Sequence, residues 1–306
     1  MERRVVVIVG PTCSGKTYLS LNLATKLKSK IISADSRQIY KYMDIGTAKP
    51  TDEEQKKIKH YFINDLLPDT SFNVSKFEDQ SFKIIEEYFL HDQMPIVVGG
   101  SGLYIKALVD GIFSEVDTDE EFREKLLEEK NEFGNEYLYQ KLVDVDKVGA
   151  DTMLPQNWKR VIRALEVFHL TGEPIWKFHQ KHKRETDIQF VQYGLQWERE
   201  LLYQNINNRV DKMISDGLVD EVKSILAKGY SPELNSLNTV GYKEIIAYLS
   251  DEYDIDRAIE LIKRNTRRYA KRQMTWFRKD ERIKWFKINR EEDLDKIANS
   301  IIKDIE

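Results

Sequence analysis

The sequence predicts an α/β fold, a parallel sheet flanked by helices, with a mostly helical insertion. Three observations predict it. Through the N-terminal third, short runs that are apolar throughout and rich in Val and Ile alternate with segments of helical period, the mark of strands buried on both faces and their crossover helices. Between about residues 114 and 186 there is no strand signal, and apolar positions keep helical spacing. Near residue 190 a strand pattern returns.

Val5-Val6-Val7-Ile8-Val9 is the first strand, and Thr17 to Lys28 follows as a helix with Leu19, Leu23 and Leu27 on one face. Ile31-Ile32-Ser33-Ala34 is a short second strand that runs into Asp35. Phe77, Ile84, Ile85 and Tyr88 make Phe77–Phe89 a helix, and Pro95-Ile96-Val97-Val98 is a third buried strand closed by Gly99-Gly100. Strand–helix–strand units of this kind build parallel sheets with helices on both faces. Glu115–Glu136 reads as acidic and helical, with no strand signal. Asn157–Thr171 carries Trp158, Val161, Ile162, Leu165 and Phe168 on one face and stops at Gly172, and Pro174 suits the first turn of a short helix beyond it. Phe190–Trp197 is a strand that returns to the sheet, and the remainder reads as helical with breaks at Gly217, Gly229 and Gly241. The domain expectation is a core of residues 1–113 and 187–306 interrupted by an insertion over 114–186. No internal repeat or low-complexity linker interrupts the chain.

Composition narrows the function classes. With 306 residues, 41% hydrophobic and 33% charged, the chain can bury a sizeable core under a charged surface, which excludes global disorder. No apolar run reaches the ~18 residues of a membrane span, and the apolar run after Arg4 is too short for a signal peptide. A single cysteine, Cys13, excludes a disulfide framework and a cysteine-based zinc site. A monomer in the reducing cytoplasm is expected. His179-x-x-His182 has no companion ligand spacing and reads as a surface pair, and Trp176, Trp197 and Trp285 read as packing residues. The net charge of −4, from 48 Lys and Arg against 52 Asp and Glu, argues on its face against a nucleic-acid partner. Its distribution argues the other way. Glu115–Glu136 is acidic, whereas Lys263–Lys279 holds eight Lys or Arg and no Asp or Glu.

Gly10-Pro11-Thr12-Cys13-Ser14-Gly15-Lys16-Thr17 matches the phosphate-loop pattern G-x-x-x-x-G-K-[ST] and lies between a strand and a helix, as that motif requires. The glycines let backbone amides curl round a phosphate, the helix start adds its positive end, and Lys16 adds a full charge. Thr17 offers a hydroxyl to Mg²⁺. The fold expected is therefore P-loop NTPase-like, ATP- or nucleotide-binding in the usual case. Such proteins normally end a second hydrophobic strand in a metal-ordering Asp, but Ile96-Val97-Val98 ends in Gly99-Gly100-Ser101-Gly102. Asp35, at the end of the second strand, is the candidate acid or base, since ligands bind at the carboxyl edge of such sheets.

Ile31–Tyr40 (IISADSRQIY), Met43–Pro50 (MDIGTAKP), the loop GPTCSGKT and Val98–Tyr104 (VGGSGLY) together resemble the signature of the tRNA dimethylallyltransferases. So do Arg160–Val167, Ile206–Met213, Val240–Glu244 and Arg267–Phe277, in family order across nearly the whole chain. Cys13 stands where the family usually has Ala and Ser101 where Thr is commoner. The resemblance implies a bacterial-type enzyme, without the C-terminal zinc finger of eukaryotic relatives. It would transfer a dimethylallyl group from dimethylallyl diphosphate to N6 of the adenosine 3′ of the anticodon. It implies that Lys16, Thr17, Arg209 and Mg²⁺ hold the diphosphate on Gly10–Thr17, with Arg199 a weaker candidate of Arg209's kind. Asp35 would take the proton of the amine, and Ser101 would orient the amine or the diphosphate. It further implies an anticodon stem-loop held by the insertion, with Arg123 near the flipped base and Asp35, Ser36, Arg37 and Gln38 reading the loop. Gly241 and Lys243 are expected on the RNA side with them. Lys159, Arg160 and Arg163, and Arg267, Arg268, Lys271 and Arg272 beside the stripe Ile262, Thr266, Tyr269, Gln273 and Trp276, would meet phosphates. Two other readings use the same loop: a small-molecule or nucleotide kinase, and a prenyltransferase acting on free AMP or ADP. The helical insertion and the basic late helix favour a large RNA substrate over both. A non-catalytic RNA-binding module leaves the loop and Asp35 without a use.

Overall fold

Val5 to Val9 are fully buried because β1 (Arg4–Val9) lies in the interior of a six-stranded parallel sheet. The structure is a computed structural model and describes residues 2–112, 116–181 and 186–305. With β2 (Ile31–Ser33), β3 (His60–Tyr61), β4 (Ile96–Gly99), β5 (Gln189–Trp197) and β6 (Lys284–Ile288), the strand order is β3-β2-β4-β1-β5-β6. Every pairing is parallel. The chain divides into two compact units, Met1–Val109 with Thr186–Glu306, and Asp110–Glu185.

The sheet unit holds α1 (Lys16–Lys26), α2 (Asp52–Lys57), α3 (Val74–Leu90) and α4 (Gly102–Asp110), and the second unit holds α5 (Glu120–Phe133), α6 (Asn135–Val145), α7 (Lys147–Ala150), α8 (Trp158–Thr171) and α9 (Ile175–Lys181). The sheet unit resumes with α10 (Arg199–Ser215), α11 (Leu218–Ala227), α12 (Tyr242–Leu249), α13 (Ile255–Phe277) and α14 (Asp293–Ile305). The two-residue period of β1 separates two cores. Val5, Val7 and Val9 pack with Phe77, Leu108, Val222, Ile245 and Ile262, whereas Val6 and Ile8 pack with Leu19, Leu23, Ile206, Ile297 and Ile301. A run apolar at every position is what a strand covered on both faces requires. Each such side chain contributes about 1.5–3 kcal/mol relative to exposure. In the second unit Leu126, Leu138, Leu142, Val161 and Leu165 form a separate core.

The predicted strands and the breaks at Gly217, Gly229 and Gly241 are present, with all three glycines at positive φ. Two readings are corrected. The region after Trp197 is not wholly helical, because β6 pairs with β5. β3, unrecognised in the sequence, pairs with β2. These are the two edges of the sheet. An edge strand needs no continuous apolar run; β3 is only two residues long, and β6 interleaves Lys284 and Lys287 with its apolar residues. The acidic segment is helical as read: Asp119 caps α5 by accepting from the Phe122 amide, and Gly134, at φ +89°, ends it before α6. Residues 113–115 and the His179 and His182 side chains lie outside the described residues. Among the described residues no helix is long and apolar enough to cross a membrane.

Candidate active site

Register assembles the site. Val9 pairs with Gly99 and Gly194, and Ser33 with Val98, so the segments leaving β1, β2, β4 and β5 emerge at one carboxyl edge. Gly10–Gly15 wraps from β1 into α1, whose first residue is Lys16. Gly15 must be glycine: its φ is +88°, and a Cβ there would lie 2.7 Å from Leu294 Cδ1. Cys13 also has positive φ, at 61°. The Lys16 ammonium donates to the carbonyls of Gly10 (3.0 Å) and Pro11 (2.6 Å). Burial, and then the charge of Arg209, push Lys16 down to about 8, against the opposing pull of Asp35 and Cys13. From α10, Arg209 donates to Thr12 Oγ1 (3.2 Å) and reaches Cys13 Sγ (3.3 Å). Trp197, buried as expected, donates to the Ser14 carbonyl (3.1 Å) and braces the loop from β5. The Ser14 hydroxyl is buried with no partner among the described residues. A cation at each side, free amides at a helix start and an orphaned hydroxyl make a seat for a multiply charged anion.

Asp35 follows β2 and orders its own turn. Its Oδ1 accepts from the amides of Arg37 (2.8 Å) and Gln38 (3.3 Å), and Ser101 Oγ accepts from the Ser36 amide (3.0 Å). Gln38 donates to the carbonyls of Thr47 and Ala48. Residues 44–46 are pinned from the far side, since Glu221 accepts from the amides of Asp44, Ile45 and Gly46 and from the Tyr242 hydroxyl. These parts open on one cleft of about 1120 Å³, lined by the loop residues 12–17, Asp35–Gln38, Arg209, Gly241, Lys243, Thr266, Tyr269 and Arg272, among others. Burial, followed by the charge of Asp35, raises Tyr269 well above the ordinary phenol range, so it stays protonated. Gly10 and Pro11 serve through their carbonyls behind the cleft wall. Ser101 acts on the Asp35 turn and is not a lining residue.

The basic helix separates its residues by face. Ile262, Ala270, Gln273 and Phe277 of α13 are buried, while Arg268, Lys271 and Arg272 are exposed. Arg267 is held on Asn207 (2.7 Å). Arg199 is held on Tyr203, by a hydrogen bond to its hydroxyl and by its guanidinium over the ring. In the second unit, Arg123 and Arg163 both meet Glu166, a carboxylate with no exposed side-chain surface that also accepts the Asp119 amide. Arg163 reaches the Val116 carbonyl as well. Lys159 and Arg160 of that unit are exposed.

Two residues of the site were not singled out in the sequence. Gln273 stood only as one member of a helical stripe, yet it bonds two site loops. Its signal was a neutral amide in a stripe otherwise lined by cations. Glu221 carried no signal, because an acid in the first turn of a helix is ordinary.

An Mg²⁺ ion would find no protein cage here: among the described residues no three His, Cys, Asp or Glu side chains converge. The Thr17 hydroxyl in the cleft fits the other mode, in which substrate phosphates and water supply most of the ligands.

A family model described as IPP transferase matches residues 38–280. The chain is 47% identical over 291 residues to a tRNA dimethylallyltransferase of Acetivibrio thermocellus, covering 94% of this chain and 92% of the relative. Among solved structures it is similar to the full-length tRNA isopentenylpyrophosphate transferase of Bacillus halodurans, with 39% identity, TM-score 0.72, and coverage of 98% and 96%. It is also similar to a eukaryotic dimethylallyltransferase acting on tRNA, with TM-score 0.80, 28% identity, and coverage of 99% of this chain and 80% of the other.

Proposed function

The chain belongs to the IPP transferase family, and from that premise we propose that it transfers a dimethylallyl group from dimethylallyl diphosphate to N6 of the adenosine 3′ of the anticodon in tRNA. One observation carries the reading: the anion seat of residues 12–17 with Arg209, and the carboxylate of Asp35, open on the same cleft. In the reaction the allylic C–O bond breaks, the C–N6 bond forms, diphosphate leaves and N6 gives up a proton. Lys16, Arg209 and the amides of Ser14 to Thr17 face the charge that grows on the leaving oxygens, which is where preorganised donors lower a barrier most. Adenine N6 is a weak nucleophile because its lone pair is delocalised into the ring. Asp35 takes its proton as the new bond forms, and Ser101 keeps the Asp35 turn in place. Mg²⁺, held by Thr17 and the diphosphate, supplies further charge neutralisation when bound. The target base must leave the stacked anticodon loop to reach this cleft. The same reading has the protein working as a monomer in the cytoplasm.

The direct test incubates the protein with dimethylallyl diphosphate, Mg²⁺ and unmodified tRNA, then digests the RNA and weighs its nucleosides. A prenylated adenosine next to the anticodon is expected; turnover of a nucleotide without RNA would replace this reading with the kinase one.

The exposed cations of α13 make tRNA affinity depend on salt. Replacing Arg268 and Lys271 with Ala should flatten the slope of log K against log salt by about 0.7–0.9 per charge removed. An unchanged slope, measured by filter binding, would remove this helix from the phosphate contacts.

Lys16 sets a pH limit on the diphosphate. Its ammonium is disfavoured before binding and titrates at about 8, whereas a bound anion favours the charged form. Binding therefore takes up a proton above that pH, and affinity falls as pH rises, by up to about tenfold per unit. A phosphate ester completes its own last ionisation near pH ~6, so the ligand's charge is constant across this window. Calorimetric titration with dimethylallyl diphosphate from pH 7 to 9.5 reads the effect, and constant affinity would exclude it.

A further inference from the structure

Gln273 lies near the C-terminal end of α13, four residues before Phe277, and is 6% exposed. Its Oε1 accepts from the Thr12 amide (2.8 Å), and its Nε2 donates to the Gly100 carbonyl (2.9 Å). These two partners are backbone groups of different loops, and the Tyr269 hydroxyl is a further, side-chain partner of the same amide. Thr12 is in the phosphate loop after β1. Gly100 follows β4 and precedes Ser101, whose hydroxyl accepts the Ser36 amide beside Asp35. A single side-chain amide thus ties the seat of the leaving group to the segment that holds the base. Few side chains can do this, because the site needs an acceptor and a donor at once, on the two ends of one planar group. The partner loop is shaped to it: a Cβ on Gly100 would lie 2.2 Å from Gln273 Nε2.

We propose that Gln273 is a positioning residue that holds the diphosphate loop and the Asp35 turn at the separation the transfer step needs. This rests on the reading given under Proposed function. The displacement joins an atom held at one loop to an atom held at the other. Its rate therefore depends on their spacing far more than either binding step does; a misplacement of about 1 Å can lower a rate by ~10²-fold. Because α13 also presents Arg268, Lys271 and Arg272, an RNA docked on that helix is placed in register with the diphosphate through Gln273.

The test uses the full-length protein with Gln273→Met, which keeps the shape and removes both hydrogen bonds, and Gln273→Glu, which keeps only the acceptor for Thr12. In single-turnover transfer with saturating dimethylallyl diphosphate and tRNA, Gln273→Met should be slower by about 10²-fold, with the affinity for each substrate close to wild type. A role in folding alone would instead lower the unfolding temperature or weaken both affinities while leaving the single-turnover rate intact. Native single-turnover rates in the folded variant overturn the proposal. Should Gln273→Met not fold, Gln273→Glu is judged by the same rate and affinities.

A second readout does not involve transfer. In wild type, inorganic diphosphate should protect amides of both the 10–17 and the 99–103 segments from hydrogen exchange; in the variants only the first segment should gain protection. Protection of both segments in the variants overturns the clasp. Wild-type protein that modifies no tRNA overturns the parent reading instead, and the exchange experiment still decides the clasp.

Discussion

Replacing Lys16 with Ala is expected to lower dimethylallyl transfer by about 10²–10³-fold, the loss seen when one preorganised donor is taken from a developing anion. The loss should fall on transfer and not on RNA. Lys16 is half-buried with its ammonium on the Gly10 and Pro11 carbonyls, whereas the cations proposed to meet RNA, Arg268, Lys271 and Arg272 of α13 with Lys159 and Arg160, are exposed. The bonds to Gly10 and Pro11 also tie the ammonium to the loop backbone, so part of the loss will appear as weaker binding of the diphosphate. Single-turnover transfer and tRNA binding by filter retention, measured on the same preparation, separate the contributions. An equal loss of tRNA affinity would undo the assignment of this loop to the diphosphate.

The second large effect is at Asp35. Asp35→Asn should lower turnover by about 10²–10⁴-fold, the usual contribution of a positioned general base, while affinity for the diphosphate and for tRNA is kept. The substitution is well controlled because of what the carboxylate already does. Oδ1 accepts from the Arg37 and Gln38 amides, and an Asn oxygen can accept the same two bonds, so the turn survives and only the proton acceptor is lost. Asp35→Ala removes the acceptor of the turn as well, leaving the half-buried Arg37 and Gln38 amides without their side-chain partner. It should show weaker RNA binding that Asp35→Asn does not. Near-normal turnover of Asp35→Asn would assign the proton to another group.

What could be read ahead of the structure follows a physical division. The interior strands β1 and β4 were legible because burial on both faces demands a run of apolar residues, and β5, which carries Gln192 and Gln196, was legible from its alternation. The edge strands β3 and β6 escaped because an edge relaxes that demand. The acidic segment was legible as helical, but charge does not locate a helix end, which Gly134, at φ +89°, sets. Net charge was a poor guide to a nucleic-acid partner, since the sum conceals an acidic segment and a basic helix at separate places in the chain.

The sequence by itself determined the phosphate loop, its neighbours on β1 and α1, and Asp35 as the nearest acid, because each is encoded within one short window. It also determined the family through blocks spread along the chain. Only the tertiary structure decided which distant side chains complete the site. Arg209 meets Thr12 across 197 residues and Gln273 meets it across 261. These meetings depend on the order in which strands are laid beside β1, and that order is set by long-range packing of both sheet faces, which no local window records.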